Sequence, residues 1–288
     1  MTHRSRDLTV LAIAAASLAL LYHDVLLKLV DAWTNDGNYS HGFLIVPLAA
    51  FFAWERRDRL LGAARQPSAL GFLVVAGSLA VLVVGILGSE LFLTRISLIG
   101  ALGGSVLFLF GWQVIRVLAF PLAILLLMIP LPQIVFNQIT FPLQLWASEF
   151  GEFVLNTSRI PVLREGNVLI LANTTLEVAE ACSGIRSLIS LLTLGIVFGY
   201  FTDPRGPVRT LIALSTIPIA ILANGLRVAG TGIAAHHFGA VAAQGFFHEF
   251  SGWLLFVVAF ALLALVQRII ISSIPAPPIS VRAEAVAA

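Results

Sequence analysis

ALGFLVVAGSLAVLVVGILG, residues 69–88, runs for twenty residues without a single charge. An α-helix satisfies its own backbone hydrogen bonds, and about 20 apolar residues carry one across a hydrocarbon layer roughly 30 Å thick. The stretch therefore predicts a membrane-spanning helix. Apolar runs elsewhere, punctuated by charge, Gly and Pro, bring the candidate spans to eight: 8–24, 42–54, 69–88, 91–110, 114–130, 184–201, 209–230 and 251–271. The second is short, and the fifth carries Pro121, Pro130 and Pro132, which neighbouring helices have to accommodate.

Composition agrees with this reading. Hydrophobic residues make up 59% of the 288 residues and charged residues 11%, whereas soluble domains run at about 45–50% and about 25%. Little is left for a separate soluble domain. Residues 1–274 read as one transmembrane domain, and the Pro- and Ala-rich stretch 275–288 as a disordered cytoplasmic tail. His3, Arg4 and Arg6 precede the first apolar run without an A-x-A-like cleavage site, so that run reads as a first span. The single cysteine excludes an intrachain disulfide and any zinc site built on several cysteines.

The formal net charge of +2 comes mostly from arginines beside the spans, so it reports orientation; no nucleic-acid partner is expected, and membrane lipid is. Arg4, Arg6, Arg56, Arg57, Arg59, Arg65, Arg116, Arg205, Arg209, Arg268 and Arg282 fall on one side of the eight-span pattern. The positive-inside rule makes that side cytoplasmic, together with both termini. Lys28, Arg95, Arg159 and Arg164 are then outside, with Arg186 and Arg227 near the outer ends of their helices.

Residues 131–183 would face outward. Phe136, Ile139, Leu143, Trp146, Phe150 and Phe153 recur at helical spacing against Asn137, Gln138, Gln144, Glu149 and Glu152, which predicts an amphipathic helix on the membrane surface. EGNVLILANTTLEVAEAC, residues 165–182, alternates apolar and polar residues and predicts a small hairpin. The expected fold is an all-α polytopic membrane protein of about eight transmembrane helices. Its outward-facing amphipathic helix and small β-hairpin lie between spans five and six.

This topology brings three scattered groups to one level: Cys182 in EACSGIRSLIS, Arg227 in ANGLRVAG and His248 in FFHEFSGW. A thiol reacts as the thiolate, and a nearby cation or helix N-terminus lowers its pKa. Cys182 has Arg186 one turn on and a helix beginning beside it. A histidine moves protons at neutral pH. Arg227 keeps its proton and suits either an oxyanion or a substrate anchor. Glu180 and Glu177 are solvated charges or orient Arg186, and Asn224 stands beside Arg227 within an apolar helix.

Blander readings exist for each. A lone cysteine in a membrane helix is usually a packing residue, and arginines at span ends often reach for headgroups. A charge inside an apolar helix, as at Arg227, is costly without a partner. His236, His237, His248 and Glu249 lack a recognised ligand spacing, so neither a metal nor another cofactor is expected. The glycines of AGTGI and GALGGS suit close helix packing.

In YSHGFLIVPLAAF (39–51), GNVLILANTTLEVAEACSGIRSL (166–188), NGLRV (224–228) and HEFSGW (248–253), the chain resembles the exosortase/archaeosortase family of membrane transpeptidases. The resemblance implies a cysteine-dependent enzyme that cleaves exported proteins at a C-terminal signal through a thioester. That PEP-CTERM-type signal consists of a Pro-Glu-Pro-type motif, a transmembrane helix and a basic tail. It also implies that Cys182, Arg227 and His248 are catalytic. Archaeal relatives use Arg at the third position, so His248 points to the bacterial branch, to the inner membrane and to a site facing the periplasm. Ser40 and His41 would line the entrance. Three rivals remain: a transporter, a membrane acyltransferase using the same Cys and His, and a scaffold indifferent to the thiol.

Overall fold

The computed structural model describes residues 3–172, 174–178, 184–239 and 246–274. The chain divides into two compact units, Met1–Phe136 and Asn137–Ala288.

In the first unit, α1 (His3–Leu21) and α2 (His23–Asn35) form a pair bent by 69° around Tyr22, whose side chain is fully buried. α3 (Gly42–Glu55) and the short α4 (Arg57–Gly62) follow. α5 (Ala69–Leu87) and α6 (Leu91–Phe110) then pack closely against each other. Glycine makes that approach possible. A Cβ at Gly104 would lie 2.9 Å from the Val75 backbone nitrogen, and one at Gly71 would collide with the backbone of Phe108. α7 (Trp112–Ile124) ends in a 3-10 turn over Leu125–Met128. The loop before α3 is anchored to this turn: Trp33 Nε1 donates to the Met128 carbonyl at 2.9 Å, and His41 Nε2 to the Leu127 carbonyl at 3.1 Å.

α8 (Gln133–Thr157) lies mostly in the second unit, where β1 (Val162–Glu165), β2 (Val168–Leu171) and β3 (Thr174–Glu177) form an antiparallel sheet in that order. Val162 pairs with Leu171 and Val168 with Glu177. Alternation turns Leu169, Leu171 and Leu176 into a core shared with Leu155, Ile160, Val178 and Val228. Arg164 Nε donates to Glu152 Oε2 at 2.6 Å, tying β1 to α8. A second core, including Leu191, Ile212, Ile219, Ala220, Ala259 and Leu263, joins α9 (Gly184–Thr202), α10 (Gly206–Phe238) and α11 (Phe246–Ser273). At the α9–α10 turn Asp203 is buried and paired with Arg205 at 2.7 Å. Arg205 also donates to the Ile274 carbonyl at 2.8 Å, holding the end of α11 to the turn.

The structure departs from the sequence expectations at several points. Among the described residues, four helices are long and apolar enough to cross a membrane: α5, α6, α10 and the Gly252–Ser273 part of α11. The bent pairs Ala12–Leu21 with His23–Asn35 and Trp112–Met128 with Gln133–Thr157 raise the total among the described residues to six, and eight spans are not shown. α3, at 14 residues, extends about 21 Å, short of the hydrocarbon thickness. The expected fifth span breaks because Pro130 and Pro132 follow the 3-10 turn and stop the helix. The expected hairpin is a three-stranded sheet, since Val162–Glu165 supplies a strand before the Gly166 turn.

The amphipathic helix is present, but the face buried along α8 is Thr140, Ala147, Ser148, Gly151 and Leu155. Trp146 and Phe153 of the apolar stripe are exposed. The helix bearing Arg227 does not end near that residue: it runs eleven residues further, to Phe238, before Gly239 at φ +83° caps it. Gly230 and Gly232 do not terminate it, and a Cβ at Gly232 would lie 2.9 Å from Leu155 Cδ1. The expected tail, 275–288, lies outside the described residues.

Candidate functional site

α10 positions the centre of the site. Asn224 and Arg227 are three residues apart, which puts them on one face of a helix. Behind this helix, a Cβ at Gly225 would fall 2.8 Å from Phe150 Cδ1, and one at Gly151 would fall 2.7 Å from Val228 Cγ1. Small residues thus seat α8 directly on the segment that carries Asn224 and Arg227. On the other side the Arg227 guanidinium rests against α11, where a Cβ at Gly252 would be 3.3 Å from Nη2.

These contacts leave a small open cleft between α9, α10 and α11, lined by residues including Leu191, Ala220, Asn224, Arg227, Gly252 and Phe256. Leu143, Leu188, Ala220, Ile221 and Asn224 surround a packing gap beside it too small for a water molecule. Asn224 borders both, only 6% exposed, and its side chain has no hydrogen bond to a described residue. The cleft therefore offers a fixed positive charge and a neutral amide in an otherwise apolar wall.

Position 248 lies in α11, four residues before Gly252, and position 186 lies in α9. Cys182 and Glu180 are outside the described residues. Ser40 and His41 belong to the first unit: Ser40 Oγ donates to the Gly37 carbonyl at 3.3 Å, and His41 is held by Leu127. Burial pushes the His41 imidazole below its ordinary pKa, against backbone hydrogen bonds that favour the proton. Among the described residues, no three His, Cys, Asp or Glu side chains gather as a metal site would require.

The sequence reading named Asn224 and Arg227 but missed the rest of the cleft wall. Ala220, Ala223, Asn224 and Arg227 on α10 face Gly252, Leu255, Phe256 and Ala259 on α11. The signal was a small or polar residue recurring every three or four positions on α10, with Gly252 and Ala259 two turns apart on α11.

The family model for the transmembrane exosortase (Exosortase_EpsH) matches residues 33–265. The chain belongs to the transmembrane exosortase family. No curated protein and no solved structure matches it. As an exosortase it is a multi-pass membrane protein, and the matched region contains the whole cleft and every candidate site position from Ser40 to His248.

Proposed function

We propose that this exosortase is a cysteine peptidase/transpeptidase acting on exported proteins that carry a C-terminal Pro-Glu-Pro-type motif, a transmembrane helix and a basic tail. Residues 182, 227 and 248 form its catalytic group. The observation that carries the reading is Arg227, a permanent cation within an apolar helix, set against Gly252 one turn from position 248.

In this mechanism the Cys182 thiol gives its proton to His248, and the sulfur attacks the scissile carbonyl carbon. Arg227 N–H groups donate to the oxygen as it becomes negative. Collapse of the tetrahedral intermediate breaks the C–N bond. His248 returns the proton to the leaving amine, and the acyl group remains on sulfur as a thioester. An incoming amine or water then attacks the thioester, loses its proton to His248 and releases the thiolate. An amine yields transpeptidation and water yields hydrolysis. Arg186 favours the thiolate, Glu180 orients Arg186, and Ser40 and His41 line the approach. The site faces the periplasm of a bacterial inner membrane, with both termini cytoplasmic.

The test co-expresses wild type or Cys182→Ala with a reporter bearing such a signal, at equal enzyme abundance, and follows reporter mass. Loss of the C-terminal fragment with wild type alone is the expected result. Equal processing by both removes Cys182 as the nucleophile.

A further inference from the structure

Asn224 is about nine-tenths buried and lines the cleft, and its amide has no hydrogen bond to a described residue. The amide opens on the cleft, where a bound group can supply its hydrogen-bond partner. The cleft that Asn224 faces is apolar apart from this amide and Arg227, and its enclosed part is small, on the scale of a side chain and not of a whole helix. Ala220, Ala223, Gly252 and Ala259 keep that space open.

The two polar groups have complementary capacities. A guanidinium only donates, whereas the Asn side chain also offers a carbonyl oxygen. One turn apart on α10, they suit a backbone that presents a carbonyl to Arg227 and N–H groups to Asn224. A helix beginning close to the reacting bond presents such groups, since its first four N–H groups lack intrahelical partners and find no water in the bilayer core.

We infer that the α9–α10–α11 cleft seats apolar side chains from the first turn of the substrate's sorting helix, and that Asn224 accepts hydrogen bonds from that turn's backbone N–H groups. This inference rests on the sorting-signal reading above. Asn224 is thus a substrate-binding residue that sets where the helix starts relative to Arg227, and so which bond reaches the nucleophile.

Docking is read without chemistry by placing a photo-crosslinking amino acid at position 256, on the exposed rim of the cleft, in full-length Cys182→Ala enzyme. The reporter substrate should be captured at its first helical turn. Asn224→Leu, similar in volume but without an acceptor, should lower the yield by about tenfold. Proline in the reporter's first turn removes an N–H without breaking the helix. At one or two positions it should lower the yield similarly with Asn224 present, and add nothing in Asn224→Leu.

Undiminished capture in Asn224→Leu, additive effects of the two changes, or capture of lipid alone overturns the inference. If Asn224→Leu fails to accumulate, the proline series in the Asn224 enzyme still decides, because a response equal at every position also overturns it. Loss of this coupling while cleavage stays cysteine-dependent rejects the docking and leaves the chemistry standing. Coupling without cysteine-dependent cleavage does the reverse.

Discussion

The guanidinium of Arg227 and the backbone of Gly252 are in such close contact that a methyl group at position 252 would lie 3.3 Å from Nη2 and 3.6 Å from Cζ. The obstructed atoms are the far end of a flexible side chain. Gly252→Ala should therefore fold, with helix propensity favouring Ala by about 1 kcal/mol, while displacing the cation by a few tenths of an ångström. Processing should fall by about tenfold or more while thermal stability in detergent holds or rises, because reacting groups tolerate little misplacement. Unchanged processing at unchanged stability would show that Arg227 has no positional role.

The Asp203 carboxyl is held below its ordinary pKa, chiefly by hydrogen bonds from Arg205 and despite a smaller opposing effect of burial. A depressed pKa contributes stability that is present above the unfolded value and lost as pH falls through the folded one. Wild-type thermal stability should therefore decline as pH drops from about 5 to 3. Asp203→Asn should be less stable at pH 7 and show a shallower decline. Parallel curves for the two proteins would remove the ion pair as the cause.

The sequence made the membrane character plain because twenty uncharged residues have few other uses, but it did not show that the second candidate span is a short helix and the fifth a broken one. Hydropathy registers an apolar segment whether or not its backbone stays helical, so it read through the 3-10 turn and prolines after α7. It also ended the Arg227 helix at Gly230, where the structure continues to Phe238 because Gly232 packs against Leu155. At the site, Arg227 and Asn224 stood out because polar groups are rare in such helices. The cleft did not stand out, since it is made by the facing of Ala220 and Ala223 with Gly252 and Ala259, and packing partners are not written in hydropathy.

His41 is held by its ring nitrogen. A carbonyl can only accept, so Nε2 carries the proton donated to Leu127. Burial lowers its pKa, and the associated stability is present above the unfolded value of about 6.5 and lost as pH falls. Wild type should lose thermal stability between pH 7 and 5.5. His41→Gln, which keeps a donor but does not titrate, should show a flatter profile over that interval. An identical slope would assign the acid sensitivity to other groups.

Cys182 is the sole cysteine, so alkylation of the unmodified enzyme reports on one atom. If Arg186 and the start of α9 stabilise the thiolate, the labelling rate in membranes should half-saturate below the ordinary thiol pKa of about 8.5. Arg186→Gln should shift that midpoint upward and slow labelling at pH 7 several-fold, without changing the plateau reached at high pH. A charge that merely packs at the lipid interface would leave the midpoint where it was. A membrane-impermeant maleimide added to intact cells tests orientation with the same atom: labelling before permeabilisation places the thiol outside, as the arginine distribution requires. Labelling only after permeabilisation, with the site reactive in lysed membranes, would invert the topology and with it the side from which a sorting signal arrives.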